Sequence, residues 1–171
     1  ATITTADNSD TLSLISTDAD ANAGPNLRLY RNSSSPADHD IVGQIDFEGR
    51  NDNSEDIVYA KIFGSPKDVS DGTEDGGFFL HTMLAGSDVS RMGMSSSQTV
   101  FNDDSKDIDF RIEGDGNINL LYVDAGVDSI YINASAQISD EKFLVNNNDN
   151  SKGTISRCTS GSQANDTVHF D

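Results

Sequence analysis

Apolar and polar residues alternate in short runs along most of the chain. Leu27 and Leu29 alternate with Arg28 and Tyr30, Ile45 and Phe47 with Gln44, Asp46 and Glu48, and Phe110 and Ile112 with Asp109, Arg111 and Glu113. A period of two puts successive side chains on opposite faces of an extended strand. The pattern predicts strands over 11–15, 26–31, 42–48, 57–63, 77–84, 89–94, 99–102, 108–113, 119–123, 129–132, 142–145, 153–157 and 167–170. Between them, at 32–36, 49–53, 71–76, 114–117 and 146–150, lie clusters of Gly, Asn, Asp and Ser. These residues tolerate positive φ or bond back to the local backbone, so the clusters read as turns. Helical periodicity is confined to a short turn expected near 134–140. The fold class expected is all-β, with short antiparallel strands in a sandwich-like or prism-like arrangement.

A loose internal echo divides the chain. Strand, Asp/Asn-rich turn, glycine and strand follow one another from Leu12 to Tyr30, and again from Phe143 to Arg157. The organisation expected is a β-rich domain over 1–133 and the start of a further β-rich segment over 134–171. The chain opens on Ala1 rather than Met and closes on strand-like residues, which reads as a piece of a longer protein.

Hydrophobic residues make up 35% of the chain and Trp is absent, so a core built from one copy is thin. Chains with thin cores often bury surface against copies of themselves. The alternation nominates Leu27, Leu29, Ile45, Phe47, Ile57, Tyr59, Phe79, Met83, Phe110, Ile112, Leu121 and Val123 for the shared interior. The net charge of -18 argues against nucleic acid, whose phosphates call for clustered Lys and Arg, and against anionic lipid. No apolar run reaches the length of a membrane span, so membrane insertion is not expected.

Catalytic signatures are missing. Cys158 is the single cysteine, and His39, His81 and His169 are widely spaced without an HExxH pair. There is no Gly-x-Ser-x-Gly elbow and no P-loop, and the expectation is a protein that is not an enzyme. Asp18, Asp20 and Asn22 approximate the start of a calcium loop, although Gly24 falls one place late and Leu29 stands where a bidentate Glu belongs. Asn146 to Asn150, Asp103 and Asp104 also offer oxygens, especially where copies converge on an axis, so structural Ca²⁺ is considered in the assembly and no other cofactor is expected.

Several ordered blocks resemble one family. They are Leu27-Arg-Leu-Tyr-Arg-Asn-Ser-Ser-Ser-Pro-Ala-Asp38, Ile41-Val-Gly-Gln-Ile-Asp-Phe-Glu-Gly-Arg-Asn-Asp-Asn-Ser54 with Val58-Tyr-Ala-Lys-Ile62, Asp68-Val-Ser-Asp-Gly-Thr-Glu-Asp-Gly-Gly77, and Thr99-Val-Phe-Asn-Asp-Asp-Ser-Lys-Asp-Ile-Asp-Phe-Arg-Ile-Glu-Gly114 continuing to Leu121-Tyr-Val-Asp-Ala-Gly126. Together they resemble tail-fibre-like structural proteins of marine bacteriophages. The resemblance implies an elongated, intertwined homotrimer in the virion, serving as a spacer or connector that supports host attachment. Its implied partners are itself, other virion tail or fibre proteins, and a host cell-surface glycan or protein. Many such proteins carry a C-terminal self-cleaving chaperone, whereas here a further strand-rich segment follows residue 133. Two other readings stand beside this one. A carbohydrate- or receptor-binding β module would use exposed aromatic and guanidinium groups, with Tyr30, Arg31, Arg50 and Tyr59 as candidates. An extracellular β-rich filament or adhesin subunit would carry an N-terminal alternating segment unable to pair within its own chain.

Overall fold

The computed structural model describes residues 2–132 and the strand 143–145. These residues form two β-sheets and no helix. The first sheet is an antiparallel meander of β1 (Gly43–Arg50), β2 (Asp56–Asp68), β3 (Asp75–Leu84), β4 (Ser87–Met94) and β5 (Thr99–Phe101), ordered as in the sequence. The second holds β6 (Phe110–Gly114), β7 (Asn117–Asp124), β8 (Ser129–Ile132) and β9 (Phe143–Val145). Its first three strands pair antiparallel, while β9 runs parallel to β8. That one ladder departs from the wholly antiparallel expectation, because β9 is reached by a longer connection than a hairpin turn. The helical turn near 134–140 and the strands at 153–157 and 167–170 lie outside the described residues.

The turn chemistry explains the meander. Ala85 (φ 48°) and Gly86 (φ 79°) join β3 to β4, and two consecutive positive φ values make the two-residue hairpin turn whose twist suits antiparallel strands. β2 runs past the expected end at Phe63, through Gly64, Ser65 and Pro66, which stay paired with Phe78, Gly77 and Gly76. Pro66 is tolerated because its carbonyl and its missing N–H face the β1 side, beyond Gly43. There the incoming chain only donates, His39 N–H to Pro66 O at 2.8 Å. Val42 N–H to Gly64 O and Val69 N–H to the Asp38 carboxylate fasten the same approach. Residues 11–15 and 26–31 alternate as strands do, yet neither forms one. A period of two makes a strand only where a ladder partner accepts it.

Register and alternation give the first sheet two unlike faces. One carries the cross-strand rows Phe47–Ala60–Thr82–Val89, Ile45–Ile62–Leu80–Met92–Phe101 and Gly43–Gly64–Phe78–Met94–Thr99. The other carries Asp46–Lys61–His81–Ser90 and Gln44–Phe63–Phe79–Gly93–Val100. Bulges interrupt the ladders between Phe47 and Glu48, Pro66 and Asp68, and Leu80 and His81, without mixing these rows. Extensive strand-to-strand packing stays within each sheet. The sheets meet at their edges, where the Phe101 and Phe110 rings lie 4.9 Å apart, rather than stacking as a sandwich.

Burial is correspondingly sparse. Val89 and Tyr131 are the buried apolar residues among those described. None of the residues nominated for the core is buried in the single chain. Leu27, Leu29, Ile45, Phe47, Tyr59 and Ile112 are exposed, and Ile57, Phe79, Met83, Phe110, Leu121 and Val123 are half-buried. The physical reason is that each sheet is a single layer: among the described residues no sheet packs face to face on the other, and the arm ahead of β1 meets the apolar face with Leu29 at Gly43 and Val42 at Gly64.

Two local contacts are tight enough to test. A Cβ on Gly77 would lie 2.8 Å from Cε2 of Phe79 and 3.1 Å from the Ser65 carbonyl oxygen, so Gly77→Ala is expected to displace the Phe79 ring. Overpacking of this kind costs about 1–3 kcal/mol, readable as a lower urea midpoint. In the second sheet the Tyr122 hydroxyl donates to Asp109 at 2.7 Å, and this bond, with burial and the nearby carboxylates, pushes its pKa up to about 12. A phenol whose folded pKa exceeds its ordinary value of 10.0 stabilises the fold below that value, and the contribution is lost as pH rises through about 12. Absorbance at phenolate wavelengths should show one tyrosine titrating near 12, and Tyr122→Phe should remove that phase.

Candidate functional site

On the polar face of the first sheet, β2, β3 and β4 bring Lys61, His81 and Asp88 together. Lys61 Nζ lies 2.8 Å and His81 Nδ1 lies 3.0 Å from the same Asp88 oxygen. Partial burial works to raise the Asp88 pKa, but the hydrogen bonds and charges of Lys61 and His81 outweigh it and hold the carboxyl below its ordinary value. Beside this cluster Phe63 and Phe79 stack at 5.1 Å, with Lys61 over the first ring and Lys67 over the second. The cations thus lie along aromatic surface and shield it from water. The hollow next to Phe79, bounded by Lys67, Gln98 and Asp103, measures about 90 Å³. That is room for about three waters and well short of an ordinary ligand pocket.

The binding candidates fall into two separate pairs. Arg31 bridges Asp40 at 3.2 Å and donates to the Ile41 carbonyl, while Tyr30 is exposed with the Arg28 guanidinium over its ring. Arg50 pairs with Asp56 at 3.0 Å, and the Tyr59 hydroxyl donates to the Arg50 carbonyl. Arg31 is tied just ahead of β1 and Arg50 ends it, roughly 24 Å apart along eight extended residues. The structure brings Arg50 to Tyr59, leaves Arg31 on Asp40 and Tyr30 under Arg28, and does not gather the four around one cleft. In the calcium-loop candidate, Asp18 Oδ1 accepts the Asp20 N–H, and both Asp20 carboxylate oxygens accept from Asn22. The Asn22 backbone N–H, then its side chain, lower the Asp20 pKa. These bonds make a chain of local turns. Among the described residues no three His, Cys, Asp or Glu side chains converge as metal ligands.

The larger feature is the apolar face. Ile45, Phe47, Phe78, Leu84 and Phe101 are each more than a third exposed on it. It continues across the Phe101–Phe110 contact into the row Phe110–Val123–Ile130 of the second sheet. A groove of about 390 Å³ marks the seam, lined by Val100, Phe101, Ile108, Phe110, Val123 and Ala125 among others. Comparison of the chain with known protein families, curated proteins and solved structures finds no match. The chain's own surface chemistry therefore carries the assignment of a site. Sequence reasoning missed Ile62, Leu80, Met92 and Phe101, the centre of this face. Their common row becomes visible only once each hairpin register is known, and bulges shift that register.

Replacing Asp88 by Asn tests the polar cluster. A carboxyl held below its ordinary value of 3.8 contributes stability above that pH, and the contribution is lost as pH falls through the lower folded value. Because the pair is half-exposed, the variant should lose no more than about 1 kcal/mol at neutral pH. Its denaturation midpoint should also fall less steeply than that of the wild type on acidification below pH 3.8.

Proposed function

We propose that this chain is a structural segment of a phage tail fibre or related virion appendage, acting as a homotrimeric spacer that supports host attachment. The observation that carries the reading is an apolar face left largely open among the described residues: a sheet amphipathic by residue parity, with Val89 its one buried hydrophobic side chain. Such a sheet requires a second layer. Identical chains sharing an axis supply that layer without lengthening the sequence. The ordered resemblance, covering roughly Leu12 to Ile132, supports the virion setting. The role is mechanical, with other tail or fibre proteins as neighbours and no catalytic step. Among the described residues, no helix is long and apolar enough to cross a membrane.

A second reading, the β-rich filament subunit, draws on the N-terminal arm. Leu12, Leu14, Leu27 and Leu29 are exposed there, and no strand of the described chain pairs with them. Light scattering on the purified chain separates the two. The fibre reading expects a single species of three times 18.3 kDa. Mass that grows with concentration favours the filament, and a stable single chain overturns both. If Asp18, Asp20 and Asn22 hold structural Ca²⁺ in the assembly, chelator lowers the mass; an unchanged mass removes that ion from the trimer.

A further inference from the structure

We infer that residues 26–31 close as a sixth strand on the open edge of β1, a strap that takes up the backbone groups on which another chain would otherwise pair. The inference concerns an edge and not the apolar face, and it holds for any number of copies.

The edge comes first. β1 pairs with β2 alone, and among the described residues no backbone hydrogen bond reaches its outer side. Every second N–H and C=O of an edge strand points outward, and such a row invites another strand. Proteins guard these edges with Pro, Lys, bulges or a covering segment. From Gly43 to Phe47 there is no Pro, no Lys and no bulge, and the ladder first shifts between Phe47 and Glu48.

The segment that fits lies alongside. Arg31 bridges Asp40 and donates to the Ile41 carbonyl. The Leu29 side chain stands at Gly43, its Cβ 2.7 Å from where a Gly43 Cβ would be. Two residues back along the arm is thus two residues forward along the strand, the step of an antiparallel pair. The same step sets Arg28 beside Gln44, Leu27 beside Ile45 and Asn26 beside Asp46. Pro25, which has no N–H to donate, then falls at Phe47, where the bulge of β1 begins. Residue parity agrees on both faces. Leu29 joins the row Gly43–Gly64–Phe78 and Leu27 the row Ile45–Ile62–Leu80. Arg28 joins the charged side, diagonal to Asp46 and within reach of it. Closure requires a shift of about 2 Å at Leu29, out to the roughly 4.5–5.5 Å between opposed Cβ atoms.

Charge and tether select this segment over another chain's. Residues 21–37 hold Arg28 and Arg31 and no acidic residue, in a chain of net charge -18, so they suit an edge that carries Asp46 and Glu48. The connection over 32–40 is short. A short tether gives an effective concentration on the order of millimolar, above that of free copies in ordinary solution.

The test makes two measurements on the full chain. Arg28→Pro with Leu29→Pro removes two adjacent N–H groups, one of which faces β1 in any antiparallel ladder. Both positions lie outside every described strand, so β1–β5 keep their own pairing. Alternate amides over 43–47 are expected to exchange roughly tenfold faster in this variant than in wild type, by residue-resolved hydrogen exchange. Unchanged rates overturn the strap. The second measurement uses a Cys158→Ser background. Leu27→Cys with Ile45→Cys is oxidised by glutathione disulfide beside Leu27→Cys with Gln44→Cys, whose side chains belong to opposite faces. Opposed residues of an antiparallel pair lie within disulfide reach, and residues on opposite faces do not. A bond within one chain, in the first pair alone, is expected on denaturing non-reducing gels. A bond between chains overturns the strap and leaves the filament reading standing. No bond in the first pair, or equal bonding in both, overturns the register and the inference with it. Neither readout depends on the mass of the assembly, so the fibre reading stands or falls separately.

Discussion

The structure depends on one constraint: a β-sheet that is apolar on one side has to cover that side. Backbone ladders run from each strand of β1–β5 to the next, broken only at the bulges, so hydrogen bonding holds the sheet together as a unit. Hydrophobic burial has hardly begun within it. Side chains such as Phe47 and Phe78 keep 56% and 41% of their surface in contact with water. Fully burying a side chain of that size is worth about 1.5–3 kcal/mol. Much of the apolar surface of the described strands thus remains in contact with water, and the thin core and the two-faced strands are two aspects of that.

Charge obeys the same geometry. An acidic chain gains solubility from its surface but pays in self-repulsion when copies approach. Here the strands keep their carboxylates on one side, and most of the remaining ones lie in the turns, where water solvates them. Lys61 and Lys67 are placed over phenylalanine rings on the charged side, which lets that side carry two large aromatic groups without presenting them bare. The two faces are therefore different materials: one adapted to water, the other to hydrocarbon.

Much of the fold was legible in the alternation, and the departures have physical causes. β1, β3, β4 and β8 appear close to where the period of two places them, because turn residues bracket them in sequence. β2 ran further than expected because Pro66 sits where no donor is needed, a fact set by the chain that approaches alongside it. The runs at 11–15 and 26–31 have the right pattern and no ladder, which shows that the period states a capacity to pair and not the pairing. Candidate site residues were less legible. Tyr30 and Arg50 were nominated for their chemistry, yet whether such groups converge depends on register over eight residues of β1. The row from Ile45 to Phe101 is assembled from five strands and has no signature in any one of them.

The three bulges of the first sheet bear on how such a protein can change over time. In a sheet whose faces are separated by parity, odd and even positions form a reading frame of their own. A substitution alters one side chain. A single inserted or deleted residue inside a strand sends every later side chain of that strand to the wrong side, putting Asp46 or Lys61 where Ile45 and Ile62 belong. Each bulge is already one such frameshift, absorbed and fixed in place. By this geometry a change of length is absorbed most easily in 51–55, 69–74 and 95–98, between strands, while a substitution on the charged face alters one side chain and leaves the frame intact.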